Sequence, residues 1–222
     1  MTPSLTPFAP RLRAFAIGWR RIALGLALLG LAACVPGLPG SGPARIALFG
    51  GSLIVAAPYG YCINPETATQ TGDLAVVLIG RCRDGSQAAA ALVTVTVGPP
   101  GSAAVLAAGG PELAAFFTSA QGRATLARSG KAADVTISRA VMAGGDFVML
   151  LTDRSAGAYW RAITGLRGRV VTVSAAGTQD VTLSPESGRD VLNATLAALH
   201  SANPPGNAVS SVAPSPAPVP EP

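Results

Sequence analysis

Residues 135–174 read VTISRAVMAGGDFVMLLTDRSAGAYWRAITGLRGRVVTVS, and this stretch decides the fold. It contains four short runs, 135–141, 147–152, 159–163 and 170–174, rich in Val, Ile and aromatic residues. Between them stand Gly-Gly-Asp, Arg-Ser-Ala-Gly and Leu-Arg-Gly, residues that suit tight turns. Runs of strand length separated by turn chemistry predict a four-stranded antiparallel meander.

Upstream the signals remain β. Residues 45–49 and 53–57 flank Gly50-Gly51-Ser52, and glycine accepts the positive φ that a hairpin turn needs. The continuous apolar run 74–79 predicts a buried strand, whereas ALVTVTV at 91–97 alternates and predicts a half-buried one. Two segments read as helices. In 111–128, Leu113, Phe116, Phe117, Ala120, Ala124 and Ala127 fall on one face behind Pro111 and Glu112, with Gly122 expected to break the helix in two. Near the end, Ser184 is suited to cap a helix starting at Pro185, with Val191, Leu192, Leu196 and Leu199 as its apolar stripe. The expected fold class is α+β: an antiparallel sheet of about six to eight strands covered by two main helices, one domain over 45–200. Beyond it, 201–222 has seven prolines from Pro204 onward and is expected to be a disordered or polyproline tail.

The chain has 222 residues and a formal charge of +5. Four arginines, Arg11, Arg13, Arg20 and Arg21, precede Cys34 without any acid among them, leaving 12 basic and 11 acidic residues behind. Charged residues make up only 12% of the chain and mean hydropathy is +0.44, which excludes a highly charged disordered protein. Arg81, Arg83, Arg123, Arg128, Arg161, Arg167 and Arg169 are scattered among acids, so no basic stripe for nucleic acid is expected.

Residues 1–33 have the order of a secretory signal peptide: an Arg-bearing polar region, an apolar run from Ile22, and small residues before Cys34. Counted to Ala33 the run has 12 residues, short of the roughly 20 that cross a bilayer; an uncleaved anchor or a buried helix is the competing reading. Leu31-Ala32-Ala33-Cys34 resembles the lipobox of bacterial lipoproteins. That resemblance implies cleavage before Cys34, lipidation of its thiol and attachment to the membrane, since two or three acyl chains anchor stably. Residues 34–44 then form a lipidated cysteine and a Pro/Gly tether. The expected location is the inner or outer membrane of a bacterial envelope, with the domain facing the periplasm. Val35 is not the aspartate that retains some lipoproteins at the inner membrane, and which membrane applies stays open.

With Cys34 lipidated, Cys62 and Cys82 remain as a pair in an exported domain, where a disulfide is expected. Pro58-Tyr59-Gly60-Tyr61-Cys62-Ile63 resembles a segment of uncharacterised envelope lipoproteins, a resemblance that implies no activity. The order of elements, with YWRAITGLRGRVVTV at 159–173 followed by a helix, resembles the Mog1/PsbP-like sandwiches, which implies partner binding more often than catalysis.

No catalytic set is expected. The sequence has no G-x-S-x-G elbow, phosphate loop or H-E-x-x-H helix, and no cofactor or metal is expected because His200 is the lone histidine. Ser129 and Lys131 have the spacing of some Ser-Lys hydrolases, but a helix C-cap explains Ala-Arg-Ser-Gly-Lys better. Asp73, Asp84, Asp146 and Asp153 border the expected strands and read as turn residues. Tyr59, Tyr61, Tyr159 and Trp160 are the candidate interaction surface, although aromatics near a disulfide serve equally to fill the core. The sequence therefore points to a lipid-anchored envelope protein that binds or assembles with an envelope partner. An envelope hydrolase with dispersed residues and a small-ligand or lipid-binding module are the alternatives.

Overall fold

The computed structural model describes residues 44–83 and 86–205. The signal peptide, Cys34, the tether, Asp84 and the tail beyond Pro205 lie outside the described residues. The expected α+β architecture is present: ten strands, three α-helices and several short 3-10 turns.

The first hairpin joins β1 (Arg45–Leu48) to β2 (Leu53–Ala56) as a separate two-stranded sheet. Its turn uses φ of 67° at Gly50 and 90° at Gly51, conformations that favour glycine. The main sheet has eight strands in the order β3-β5-β6-β10-β9-β8-β7, with β4 beside β3 on the same edge of β5. They are β3 (Tyr61–Ile63), β4 (Thr69–Thr71), β5 (Leu74–Arg81), β6 (Ala91–Pro100), β7 (Val135–Ala143), β8 (Asp146–Asp153), β9 (Gly157–Leu166) and β10 (Arg169–Gly177). Every pairing is antiparallel, and β7 to β10 form the meander read from the sequence.

Strand alternation gives the sheet two different faces. On one, Val77 and Ile79, Val93 and Val95, and Val171 and Val173 are fully buried. This face is covered by the β1–β2 hairpin and by α3 (Pro185–Ala202), whose Leu192, Leu196 and Leu199 pack into the same core. The expected N-cap is present, the Ser184 side chain accepting from the Ser187 N–H. At the other end Asn203 ties the helix to the hairpin, its amide accepting from Ile54 N at 2.9 Å and donating to Ile54 O at 2.7 Å.

The opposite face is covered only in part. Here α1 (Gly110–Thr118) and α2 (Ala120–Leu126) lie over Phe147, Met149 and Leu151 of β8 and form a second apolar cluster with Leu113, Leu126 and Ile163. The break between them falls at Ser119, not at Gly122. Ser119 leaves helical geometry and its side chain caps α2 by accepting from Gly122 N at 3.1 Å. Gly122 instead lets the two helices meet, since a Cβ there would lie 2.1 Å from the Phe116 carbonyl oxygen.

Because α1 and α2 stop short of β5, β6 and β10, the run 74–79 is not buried on both faces. Ala75, Val77 and Ile79 are core, while Val76 and Leu78 are half-buried and Leu74 is exposed. The polar segment after Ile63 is also more ordered than a loop: Thr69–Thr71 pairs as β4 with Leu74–Val76. Cys62 and Cys82 form the expected disulfide, with Cα atoms 5.0 Å apart.

Arg169 closes the lower end of the sheet. Nη1 donates to the carbonyls of Asp73 at 2.8 Å and Gly98 at 2.9 Å, and the guanidinium lies 4.0 Å from the Phe49 ring centroid. One side chain thus joins the β4–β5 turn, the end of β6, β10 and the first hairpin.

Candidate functional site

The uncovered part of the second face forms a trough of about 1020 Å³. Its floor comes from alternate residues of three adjacent strands. Register places Thr96 opposite Thr172 and Thr94 opposite Ser174 across β6 and β10, and Ser174 opposite Arg161 across β10 and β9. These positions point away from the valine core because side chains alternate along a strand. The result is a grid of hydroxyls beside a central arginine. Backbone N–H and C=O groups of these strands are used in ladders on both sides, so the floor presents side-chain groups.

Arg161 is held in place. Its Nε donates to Ser174 Oγ at 2.9 Å, and its guanidinium carbon lies 5.4 Å from the Tyr159 ring centroid. This leaves the terminal nitrogens as donors. Arg128 also lines the trough, after α2, and among the described residues no acidic side chain lines it. Neither arginine makes a salt bridge among the described residues. Arg161 is half-buried and Arg128 exposed, so both keep donors that a ligand can reach.

Asp153 lies against the same wall, but its carboxylate is committed. It accepts from Ser155 Oγ at 2.6 Å, from Ser155 N at 2.7 Å and from Arg128 N at 3.0 Å. The Ser155 hydroxyl and then the Arg128 N–H stabilise the charged form and lower the pKa from 3.8 to about 2, outweighing the opposing effect of burial. Asp153 is the last residue of β8, not a turn residue, and its carboxylate caps the turn that follows and fixes Arg128 and Ser155 at the trough wall. Burial raises the Tyr159 phenol pKa, with nearby Arg161 opposing it.

The four candidate aromatics do not form one surface. Tyr59 is fully exposed, whereas Tyr61, Tyr159 and Trp160 are at most 6% exposed. Tyr159 and Trp160 are consecutive on β9 and so belong to opposite faces. Tyr159 borders the trough, while Trp160 lies beneath α3 and donates from Nε1 to the Pro185 carbonyl at 2.6 Å. Tyr61 donates to the Ala89 carbonyl at 2.8 Å, fastening the chain after Cys82. Burial raises its pKa against the pull of Arg81.

The other candidates have local roles. Ser129 donates to Asp134 at 2.6 Å and accepts from the backbone N–H of Lys131 at 3.2 Å, so the serine and lysine belong to one capped turn. His200 Nε2 stands 3.1 Å from an Asp146 carboxylate oxygen and links α3 to the start of β8. Among the described residues, no group of three or more His, Cys, Asp or Glu side chains is placed to hold a metal, and no helix is long and apolar enough to cross a membrane.

The sequence reading missed the trough. Its one visible sign was the threonine alternation in ALVTVTV, which marks a polar face on β6. The pairing of that strand with β10, far along the chain, completes the hydroxyl grid. No protein-family model matches this chain, and no curated protein shows significant similarity to it.

Proposed function

We propose that this protein is a lipid-anchored binding module of the bacterial envelope, attached through Cys34 and acting through the trough on the β6–β10–β9 face. The observation that carries the binding reading is Arg161, pinned by Ser174 at 2.9 Å on a floor of paired central strands with no acidic side chain lining it among the described residues. A preorganised donor on a central strand suits recognition, since little side-chain freedom is lost when a ligand arrives. The anchor reading rests on the lipobox-like Leu31-Ala32-Ala33-Cys34 and the signal-peptide pattern before it. Together they describe a domain tethered at the membrane that binds an envelope component without transforming it.

Metabolic labelling with palmitate tests the anchor. Labelled protein should be recovered with the membrane, and Cys34→Ala should lose the label and retain its leader longer. Unchanged labelling of Cys34→Ala contradicts the reading.

A further inference from the structure

We infer that the trough takes an acidic saccharide, a ligand rich in hydroxyls and carrying a carboxylate. The inference rests on the trough being the binding site and adds the chemistry of its occupant.

The floor selects the ligand class. Because the central strands spend their backbone groups on one another, a peptide cannot add to the sheet here as it would at an edge. What the floor offers is Thr94, Thr96, Thr172 and Ser174, opposed in pairs across β6 and β10. A hydroxyl both donates and accepts, and its natural complement is another hydroxyl. The rows are separated by about 4.8 Å between strands and about 6.8 Å along them, spacings commensurate with a sugar ring. The volume of about 1020 Å³ stands at the upper end of small-ligand sites, room for more than one ring.

Charge narrows the class. Arg161 retains its terminal guanidinium nitrogens, and a guanidinium fork matches a carboxylate. Arg128 adds a second, exposed cation, and among the described residues no lining side chain is acidic, the nearby Asp153 carboxylate being committed to Ser155 and the Arg128 N–H, so a neutral sugar would leave the Arg161 fork without an anionic partner. Nucleic acid fits poorly: Tyr159, the one aromatic at the site, is 6% exposed and offers no ring for base stacking. A fatty chain fits poorly as well, since it would desolvate the hydroxyl floor without pairing it.

The test is calorimetric titration of the full-length chain with tetragalacturonate and with N-acetylmuramic acid. Methyl-esterified tetragalacturonate and inorganic phosphate serve as comparison probes. At least one acidic saccharide should bind, the methyl ester at least tenfold more weakly, and Arg161→Gln should weaken binding by tenfold or more. Thr94→Val should weaken it severalfold. Arg139→Gln, at an exposed position of the edge strand β7, should leave it unchanged. Urea unfolding of each variant separates lost binding from lost folding. Failure of both acidic saccharides, equal binding of the methyl ester, full affinity in a folded Arg161→Gln protein, or tighter binding of phosphate each overturns the saccharide assignment. Photocrosslinking in cells from position 172 on the trough floor reads the trough as a binding surface whatever its ligand, so the two proposals fail separately.

Discussion

Replacing Arg169 with methionine keeps most of the aliphatic stem and removes the guanidinium, and the structure allows the cost to be worked out. Two carbonyl acceptors, Asp73 O and Gly98 O, lose a charged donor. A hydrogen bond to a charged group contributes about 1.5–3 kcal/mol. Asp73 is exposed, so water can replace the donor there and its share falls to the low end. The ion pair with the Asp73 carboxylate, at 3.4 Å and with that side chain 67% exposed, adds at most about 1 kcal/mol. Contact with the Phe49 ring at 4.0 Å adds about 1 kcal/mol. Against these stands the desolvation of a side chain only 9% exposed, which the wild type bears and the variant does not. The net expectation for Arg169→Met is a loss of about 3 kcal/mol. Urea unfolding followed by tryptophan fluorescence measures it, urea being chosen because guanidinium chloride would screen the charge. The midpoint should fall while the slope stays unchanged. Combining Arg169→Met with Phe49→Leu should recover a coupling of about 1 kcal/mol. A variant within about 0.5 kcal/mol of wild type, the usual range for an ordinary surface substitution, would refute the reasoning that one arginine holds four elements together.

Two further perturbations test other parts of the fold. The Cys62–Cys82 bridge spans 20 residues, for which chain entropy gives about 3 kcal/mol, so the double Cys→Ala variant should melt about 6–12 °C lower in a calorimetric scan. Asp153 has its pKa lowered to about 2 in the folded protein, so it binds its proton less readily than in the unfolded chain. Its contribution is therefore present above about pH 4 and lost as the pH falls toward 2, and Asp153→Asn should destabilise by about 2 kcal/mol at pH 7 with the difference closing near pH 2. Urea midpoints measured across that range check the sign; a gap that widens on acidification would contradict it.

The parts of this fold that were legible in the sequence are those with local causes. Gly50-Gly51 dictates a turn, Ser184-Pro185 starts a helix, and the Gly-bearing breaks between 135 and 174 mark four strands. Where the reading failed, the deciding contact lay elsewhere in the chain. Thr69–Thr71 is a strand only because β5 runs alongside it, and a three-residue polar segment carries no periodicity of its own. Gly122 was read as a helix breaker because glycine is a poor helix former, yet its role is to admit the Phe116 backbone. The apolar composition of 74–79 predicts a buried strand, yet only alternate residues are buried, because what covers its second face depends on how far α1 and α2 extend. Arg161 looked like one of several scattered arginines until β9 and β10 placed it next to Ser174. Grouping Tyr159 with Trp160 overlooked strand alternation, which sends neighbours to opposite faces.

The two faces of the sheet differ in what covers them. One face is closed by α3 and the hairpin through Leu192, Leu199 and the Asn203 amide. The other is closed over β8 and left open over β6 and β10, where hydroxyls replace valines. The basic appearance of the whole chain derives from four arginines before Cys34, whereas the cations that line the trough are Arg161 and Arg128.

Site-specific photocrosslinking in cells probes whether the open β6–β10–β9 face is the binding surface. A photoreactive side chain is placed either at Thr172 on the trough floor or at Asn193 on the exposed side of α3. A light-dependent adduct is expected from position 172, diminished when Arg161→Gln is added, and none from position 193. Adducts of equal yield from both positions, or none from position 172, would contradict it.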